Sequence, residues 1–435
     1  MPADLQQETT ELLQRLIRAN TVNPPGNERA IQETLASDLE AAGFEVDLLG
    51  AVPERPNLVA RLRGEADGPT LCLLSHVDTV LATPEDWTHD PWSGDVDEGF
   101  VWGRGALDMK SQTAAEVVAA LSLAREGWRP AAGDLLVVVV VDEEVGGELG
   151  AIWICANHPD EVRCDYLLNE GAGTVIPYDG GRVYGVCVAE KGVFRFALTT
   201  EGVAGHASVP KIGENALLKM APLLQRMYDR QPSFDLTDGP RALLEGLGVP
   251  ANGDPAAALE RLRERDGQLA ALVEPLLGVT LAPTIISASE KINVIPASAE
   301  LRVDCRIPPG LGEEEALARI HEVLGEDGYR LEFTEQVVGN QSPVSSPLMD
   351  AIERWVGEQD PGARVVPTIL SGFTDSRTFR GAFPECVAYG FFPHRHMTWY
   401  DVSPLIHAAD ERIDVRDLGF AAAFFRDVTK ELLGG

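Results

Sequence analysis

The spacing of apolar and polar positions divides the chain into two textures. From Glu28 to Gly43, ERAIQETLASDLEAAG repeats Ile31, Leu35 and Leu39 every four residues and stops at a glycine. That pattern predicts an amphipathic helix with glycine at its C-terminal end. TLCLLS (70–75) reads as a strand, SQTAAEVVAALSLAREG (111–127) as a second helix, DLLVVVVV (134–141) as a strand buried on both faces, and CDYLLN (164–169) as another. This βαβ order predicts an α/β fold, a mostly parallel sheet sandwiched by helices. Near residue 187 the texture changes. VFRFALTTEG and KINVIPASAELRVDCRIPPG read as half-exposed strands, ALLKMAPLLQRMYD as a helix between them, and residues 231–283, rich in Gly, Pro, Ala and Leu, as helical embellishment. Buried-strand texture returns at ECVAYGFF (385–392). The expected organisation is one domain built from residues 1–187 and 342–435, interrupted by an inserted α+β domain at 188–341.

Size and charge narrow the function classes. A chain of 435 residues with 45% hydrophobic content buries a large core and exceeds what a single core usually supports. A net charge of -32 repels phosphate backbones and anionic lipid, so neither nucleic acid nor a membrane surface is an expected partner. The longest aliphatic run falls far short of the ~20 residues that cross a bilayer, and the start MPADLQQETTELLQRLIRAN lacks a basic-then-apolar leader pattern. A cytoplasmic protein is expected. Six cysteines without CxxC spacing argue against a disulfide framework or zinc finger and read as small core residues.

Candidate chemistry gathers where the buried strands end. In an open parallel sheet, ligands bind beyond the carboxyl ends of the strands. The first strand runs into His76 and Asp78, the second into Glu143 and Glu144, the third into Glu170. Carboxylates converging on one sheet edge repel each other unless a cation sits among them. In His76-Val77-Asp78 the carboxylate can accept a hydrogen bond from the imidazole nitrogen that faces away from a metal, although such spacing also arises by chance. Asp108, in WGRGALDMKSQ, reads either as the N-cap of the second helix or as an acid able to bridge two cations. Glycines 103 and 105 form no GxGxxG, so no dinucleotide fingerprint is present. Glu143 and Glu144 read either as a solvated turn or as a pair in which one acid grips a metal while the other handles protons. His407 in SPLIHAADERID and His206 in EGVAGHASVP have no ligand signature of their own, and His89, His158, His321, His394 and His396 receive no role.

Seven short motifs then occur in order: SHVDTV, WGRGALDMK, DEEVGG, LLNEG, GHAS, NVIP and HAADERI. Together they resemble the dinuclear zinc amidohydrolases and peptidases of the acetylornithine deacetylase, succinyl-diaminopimelate desuccinylase, aminoacylase and carboxypeptidase G family, over nearly the whole chain from TVNPPGNE onward. The resemblance implies a zinc-peptidase-like catalytic domain with an inserted lid and dimerisation domain. It implies two Zn²⁺, replaceable by Co²⁺ or Mn²⁺, one held by His76, Asp108 and Glu170 and the other by Asp108, Glu144 and His407. Asp78 orients His76, Glu143 is the general base, and His206 reaches the site of the neighbouring subunit of a homodimer. Asn293 of NVIP and Arg306 of DCR, on adjoining strands, grip a substrate carboxylate, with Arg377 of SGFTDSRTFR near the substrate. For each arginine a surface ion pair is the alternative. The family often has two glycines before the threonine of that last motif, whereas Phe373 follows Gly372 here.

The implied activity is metal-dependent hydrolysis of an amide in a small N-acyl amino acid or dipeptide carrying a free carboxylate. Two other readings stand beside it: an aminopeptidase on di- or tripeptides, and an inactive metal-binding protein on the same fold.

Overall fold

The computed structural model describes residues 3–434. They divide into two compact units: one takes residues up to Val188, Ser342–Thr368 and the chain from Thr374 on, and the other Ala189–Gln341 with Ile369–Phe373.

The first unit is built on a ten-stranded sheet whose centre is parallel. Leu71–His76 lies between Asp134–Val140 and Tyr166–Asn169 and runs parallel to both, and Val387–Gly390 runs parallel to Tyr166–Asn169 on its other side. Antiparallel strands flank this centre, Glu45–Leu49 and Asn57–Arg63 at one end and Gly181–Glu190 towards the other. Leu135 to Val140 are all fully buried, which is why that run shows no polar alternation.

Helices cover both faces. Ala3–Arg18, Lys110–Arg125 and Val415–Leu433 pack on one another, and Lys110–Arg125, buried almost all round, also packs on the Leu71–His76 strand. On the opposite face Ile154, Cys155, Phe379 and Phe383, from Ala151–Asn157 and the region of Asp375–Ala382, close over Cys72, Leu74, Val138 and Leu167. All six cysteines are buried and free.

In-register parallel pairing sets the ends of the central strands side by side: His76 pairs with Val140, and Asn169 with Gly390. Everything that follows these strand ends therefore emerges along one edge. Gly390 permits close approach there, because a Cβ on it would lie 2.0 Å from the carbonyl oxygen of Glu170.

The second unit has an antiparallel sheet centred on Ser298–Ile307, which pairs with Phe196–Glu201 and with Thr280–Ser287. Helices Ala216–Asp229 and Glu313–Leu324 bury Met220, Leu223, Ile320 and Val323 against it. The stretch read as helical embellishment does hold helices at Asp238–Gly246, Pro255–Arg265 and Gly267–Val273. From Thr280, however, it turns into a strand, because TLAPTIIS carries β-branched residues that suit an exposed edge.

Candidate metal centre

Five separate stretches of the first unit deliver six ligand-type side chains to the edge where the parallel strands end. His76, Glu143 and Glu170 form one group and Asp108, Glu144 and His407 another; within each, one donor atom per residue lies within 4.8 Å of the others. Asp108 stands between the groups, with Oδ1 3.4 Å from His76 Nε2 and Oδ2 3.0 Å from His407 Nε2. Glu144 Oε2 is 3.1 Å from His407 Nε2, while Glu170 Oε1 and Glu143 Oε2 lie 3.7 and 3.9 Å from His76 Nε2.

Two alternatives from the sequence do not hold. Asp108 does not cap the second helix, whose N-cap is Met109 without any side-chain cap. Glu143 and Glu144 do not form a solvated turn: they begin a short 3-10 turn, and their side chains are only 15% and 5% exposed.

Electrostatics mark the cluster as a cation site. Burial, then the neighbouring Glu170 carboxylate, push Glu143 well above the ordinary carboxylate range, and burial followed by Asp108 does the same to Glu170. Burial would lower His76, yet Asp108 and Asp78 hold it well above its ordinary value. Asp108 and Glu144 push His407 up to about 10, and Asp108, despite burial, is held far below the usual range by the two imidazoles. Nε2 of His76 is buried and makes no hydrogen bond. A buried imidazole nitrogen facing carboxylates fits a divalent ion of the zinc, cobalt or manganese type, which accepts this mixed nitrogen and oxygen donor set.

A set of supporting residues holds these ligands. Asp78 contacts His76 mainly through its backbone: its carbonyl oxygen is 3.0 Å from Nδ1, whereas its carboxylate is 3.4 Å away. That carboxylate accepts hydrogen bonds from the backbone N–H groups of Glu143 and Glu144, each at 3.2 Å, and from Asn23 Nδ2 at 2.9 Å. Burial would raise the Asp78 carboxyl, but His76, Asn23 and the Glu144 N–H hold it below its ordinary value. Asn23 also donates to Asp142, which pairs with Arg55, itself paired with the buried Glu28. Glu411 accepts from the backbone of Leu107 and Asp108 and pairs with Arg104. Sequence reading gave no role to Asn23, Arg55, Arg104 or Glu411. The only signal available was their position inside TVNPPGNE, WGRGALDMK and HAADERI or, for Arg55, none.

Of the other expected site residues, three belong to the second unit and Arg377 to the first. His206 is exposed in the second unit, where its Nδ1 accepts from Ser208 N–H at 3.2 Å with Ser208 Oγ at 2.8 Å. Since Nδ1 is an acceptor, the ring proton sits on Nε2. Asn293 and Arg306 are not on adjoining strands. Asn293 precedes Val294–Ile295, which forms a two-stranded ribbon with Gly205–His206, and its carbonyl accepts from Ala207 N–H at 3.0 Å. Arg306 belongs to the five-stranded sheet and pairs with Asp304 at 2.8 Å. Pro296 separates the two segments and cannot extend a ladder between them. Arg377 lies half-buried on the Asp375–Ala382 helix of the first unit.

Comparison with known proteins adds a family context. The model of peptidase family M20/M25/M40 matches residues 72–431. A succinyl-diaminopimelate desuccinylase of Xanthobacter autotrophicus is 28% identical over 428 residues, covering 95% of this chain and 96% of that protein. A probable carboxypeptidase S-like 2 of Dictyostelium discoideum is 26% identical over 325 residues, 71% of this chain but only 62% of the relative's length. Among solved structures, an M20 family metallo-carboxypeptidase from Sulfolobus solfataricus superposes with a TM-score of 0.71 at 17% identity, covering 97% and 98% of the two chains. Human carnosine dipeptidase 1 does so with a TM-score of 0.67 at 15% identity, covering 98% and 96%. At these identities the structural likeness establishes the fold.

Proposed function

Because this chain belongs to peptidase family M20/M25/M40 and is a metal-dependent hydrolase, we propose that it cleaves the amide bond of a small N-acyl amino acid or dipeptide carrying a free carboxylate. The observation that carries this reading is the convergence of six ligand-type side chains around a buried imidazole nitrogen without a hydrogen bond. In this reading His76, Asp108 and Glu170 hold one Zn²⁺ and Asp108, Glu144 and His407 the other. Bound zinc would supply Lewis-acid polarisation of the scissile carbonyl and acidify a water at neutral pH.

The chain's own residues do the rest. Glu143, left out of both ligand sets, takes a proton from the attacking water at a carboxylate oxygen and hands it to the leaving nitrogen. Asp78 fixes the backbone from which Glu143 and Glu144 project. His206, with its proton on Nε2, donates to the oxyanion of the tetrahedral intermediate.

We further assign residues 188–341 the role of lid and dimerisation domain, with His206 acting across a homodimer interface. Supporting this, Thr280–Ser287 is an open edge strand, paired only with Ser298–Ile307 among the described residues, and Ile285, Ile286, Leu218 and Ile292 are exposed on that unit. Asn293 and Arg306 are assigned to the substrate carboxylate and Arg377 to a place near the substrate; Arg306 would exchange Asp304 for the carboxylate in a planar bidentate contact. Free buried thiols suit a reducing compartment, and we assign the enzyme to the cytoplasm.

The test is to assay an N-acetyl amino acid beside an unblocked dipeptide, using chelator-treated protein with and without restored zinc. Zinc-dependent release of acetate from the blocked compound is expected. Turnover of the unblocked peptide alone would replace this reading with an aminopeptidase that anchors an α-amine. Turnover of neither would overturn it.

A further inference from the structure

Two ligands of the second group, Asp108 and His407, hang from loops that one buried ion pair joins. Arg104 and Glu411 are almost fully enclosed, with side chains 4% and 0% exposed, and Nη1 lies 2.6 Å from Oε2. Glu411 spends its remaining capacity on the loop that delivers Asp108. Oε1 accepts from the N–H groups of Leu107 at 2.7 Å and Asp108 at 3.1 Å, and Oε2 also accepts from Gly105 N–H at 3.2 Å. Arg104 reaches the other way. Its Nη2 donates to the carbonyl oxygens of His407 at 3.3 Å and Leu81 at 3.4 Å, and its guanidinium stands 5.2 Å from the centre of the Trp87 ring.

His407 needs such a hold. It takes a φ of +59°, in the left-handed region that side-chain-bearing residues rarely adopt, and its side chain is 49% exposed. A conformation of that kind persists only where the surroundings impose it. His76, Glu143 and Glu170 are placed differently, by the ends of three paired parallel strands. Neither Arg104 nor Glu411 hydrogen-bonds any of those three among the described residues.

We propose that Arg104 and Glu411 are a positioning pair for the Asp108, Glu144 and His407 end of the centre, setting the affinity of the metal held there above all through His407, a ligand that the metal at His76 does not share. This inference rests on the two-metal reading above. Arg104 acts through the His407 carbonyl and Glu411 through the Asp108 backbone, and neither touches the reacting atoms.

The test uses full-length protein stripped with chelator and titrated with Co²⁺, followed by calorimetry and by the visible spectrum of the bound ion. Arg104→Met alone leaves the Glu411 charge buried and unpaired, which can prevent folding. The double variant Arg104→Met/Glu411→Gln removes both charges together. It keeps an amide oxygen for the Leu107 and Asp108 N–H groups and loses the hold on His407. Wild type is expected to bind two equivalents. The double variant, folded by circular dichroism, is expected to bind the first with unchanged affinity and the second about 10- to 100-fold more weakly, the range typical of losing a partner that orients a metal ligand. Should it fail to fold, Arg104→Lys, which keeps a charged donor too short to serve both loops, is read for the same two outcomes. Two equivalents at wild-type affinity, or equal loss of both from folded protein, would overturn the inference. Wild-type protein that binds no metal would instead sink the two-metal reading, and this inference with it.

Discussion

Replacing Asp78 by asparagine distinguishes two jobs that one carboxylate could perform. From sequence its job is to orient His76; from geometry it fixes the turn that carries Glu143 and Glu144. The substitution leaves the backbone carbonyl of residue 78 in place, so the 3.0 Å contact to His76 Nδ1 survives. The side chain has two ways to sit. With its new NH₂ at the Oδ2 position it confronts Asn23 Nδ2 at 2.9 Å and Glu144 N–H at 3.2 Å; with NH₂ at the Oδ1 position it confronts Glu143 N–H at 3.2 Å and, more distantly, His76 Nδ1 at 3.4 Å, which keeps its shorter contact with the backbone carbonyl. The second arrangement is preferred, so the Glu143 backbone is released while Glu144 stays held. A hydrogen bond to a charged group contributes about 1.5–3 kcal/mol, and leaving its buried donor unsatisfied costs about 1–3 kcal/mol. That loss falls on the residue assigned as the base, where misplacement of about 1 Å costs about 10²-fold in rate. The expected result is a fall in kcat of about that size, with two metals per chain retained by elemental analysis and unchanged secondary structure by circular dichroism. Unchanged kcat would refute the reasoning. So would loss of metal comparable to that of His76→Ala, since the carboxylate would then act on the imidazole after all.

Three more outcomes can be checked. Glu143→Gln should keep both metals while turnover falls about 10²- to 10⁴-fold; collapse of metal content would reverse the roles given to the two adjacent glutamates. His206→Ala should lose about 10²- to 10³-fold in kcat with metal content intact, and subunits mixed with Glu143→Gln should regain part of the activity if the histidine acts across an interface. Glu116 is fully buried, with Oε1 accepting from Gln112 at 2.8 Å, and burial raises its carboxyl well above the ordinary value. Its stabilising effect is therefore complete below the unfolded value of about 4.3 and lost as pH rises towards the folded one, so Glu116→Gln should gain stability over wild type in denaturant melts at about pH 8 and little at about pH 5. An advantage independent of pH would mean that the acid is not held protonated.

Strands of uniform burial were the most legible part of the fold. DLLVVVVV and TLCLLS fill positions covered on both faces, so period and composition agree. The carboxylates and imidazole at their ends could be found because parallel pairing brings strand ends together whatever the loops do. The edge strand Thr280–Ser287 was hidden by a neighbourhood rich in Ala, Leu, Gly and Pro, where local composition outweighed a short β-branched run. Asn293 and Arg306 were expected on adjoining strands from the family resemblance alone, yet the strand after Asn293 ends before Pro296 and belongs to a different sheet from that of Arg306. Arg104 and Glu411 are 307 positions apart, and Asn23 and Asp78 are 55 apart. No periodicity connects such partners, since what joins them is satisfaction of buried donors and acceptors after the chain has closed.

The division of positive charge within the first unit gives the site its character. Behind the centre Glu28 and Asp142 share Arg55, Glu411 has Arg104, and Asp78 has three N–H donors. In front, Asp108, Glu143, Glu144 and Glu170 form no ion pair with a lysine or arginine among the described residues, and their close cationic partners there are His76 and His407. A fold that needed these acids only for structure would have placed arginines among them, as it does with Arg55 beside Glu28 and Asp142 and Arg104 beside Glu411. With both imidazoles neutral, as metal ligands must be, four carboxylates carry a charge of −4, which two divalent cations cancel. One such ion would leave two buried carboxylates uncompensated, a state that strongly disfavours ionisation. Neutralisation without metal instead requires protons on the acids and imidazoles, and the raised values of Glu143, Glu170, His76 and His407 correspond to that second solution.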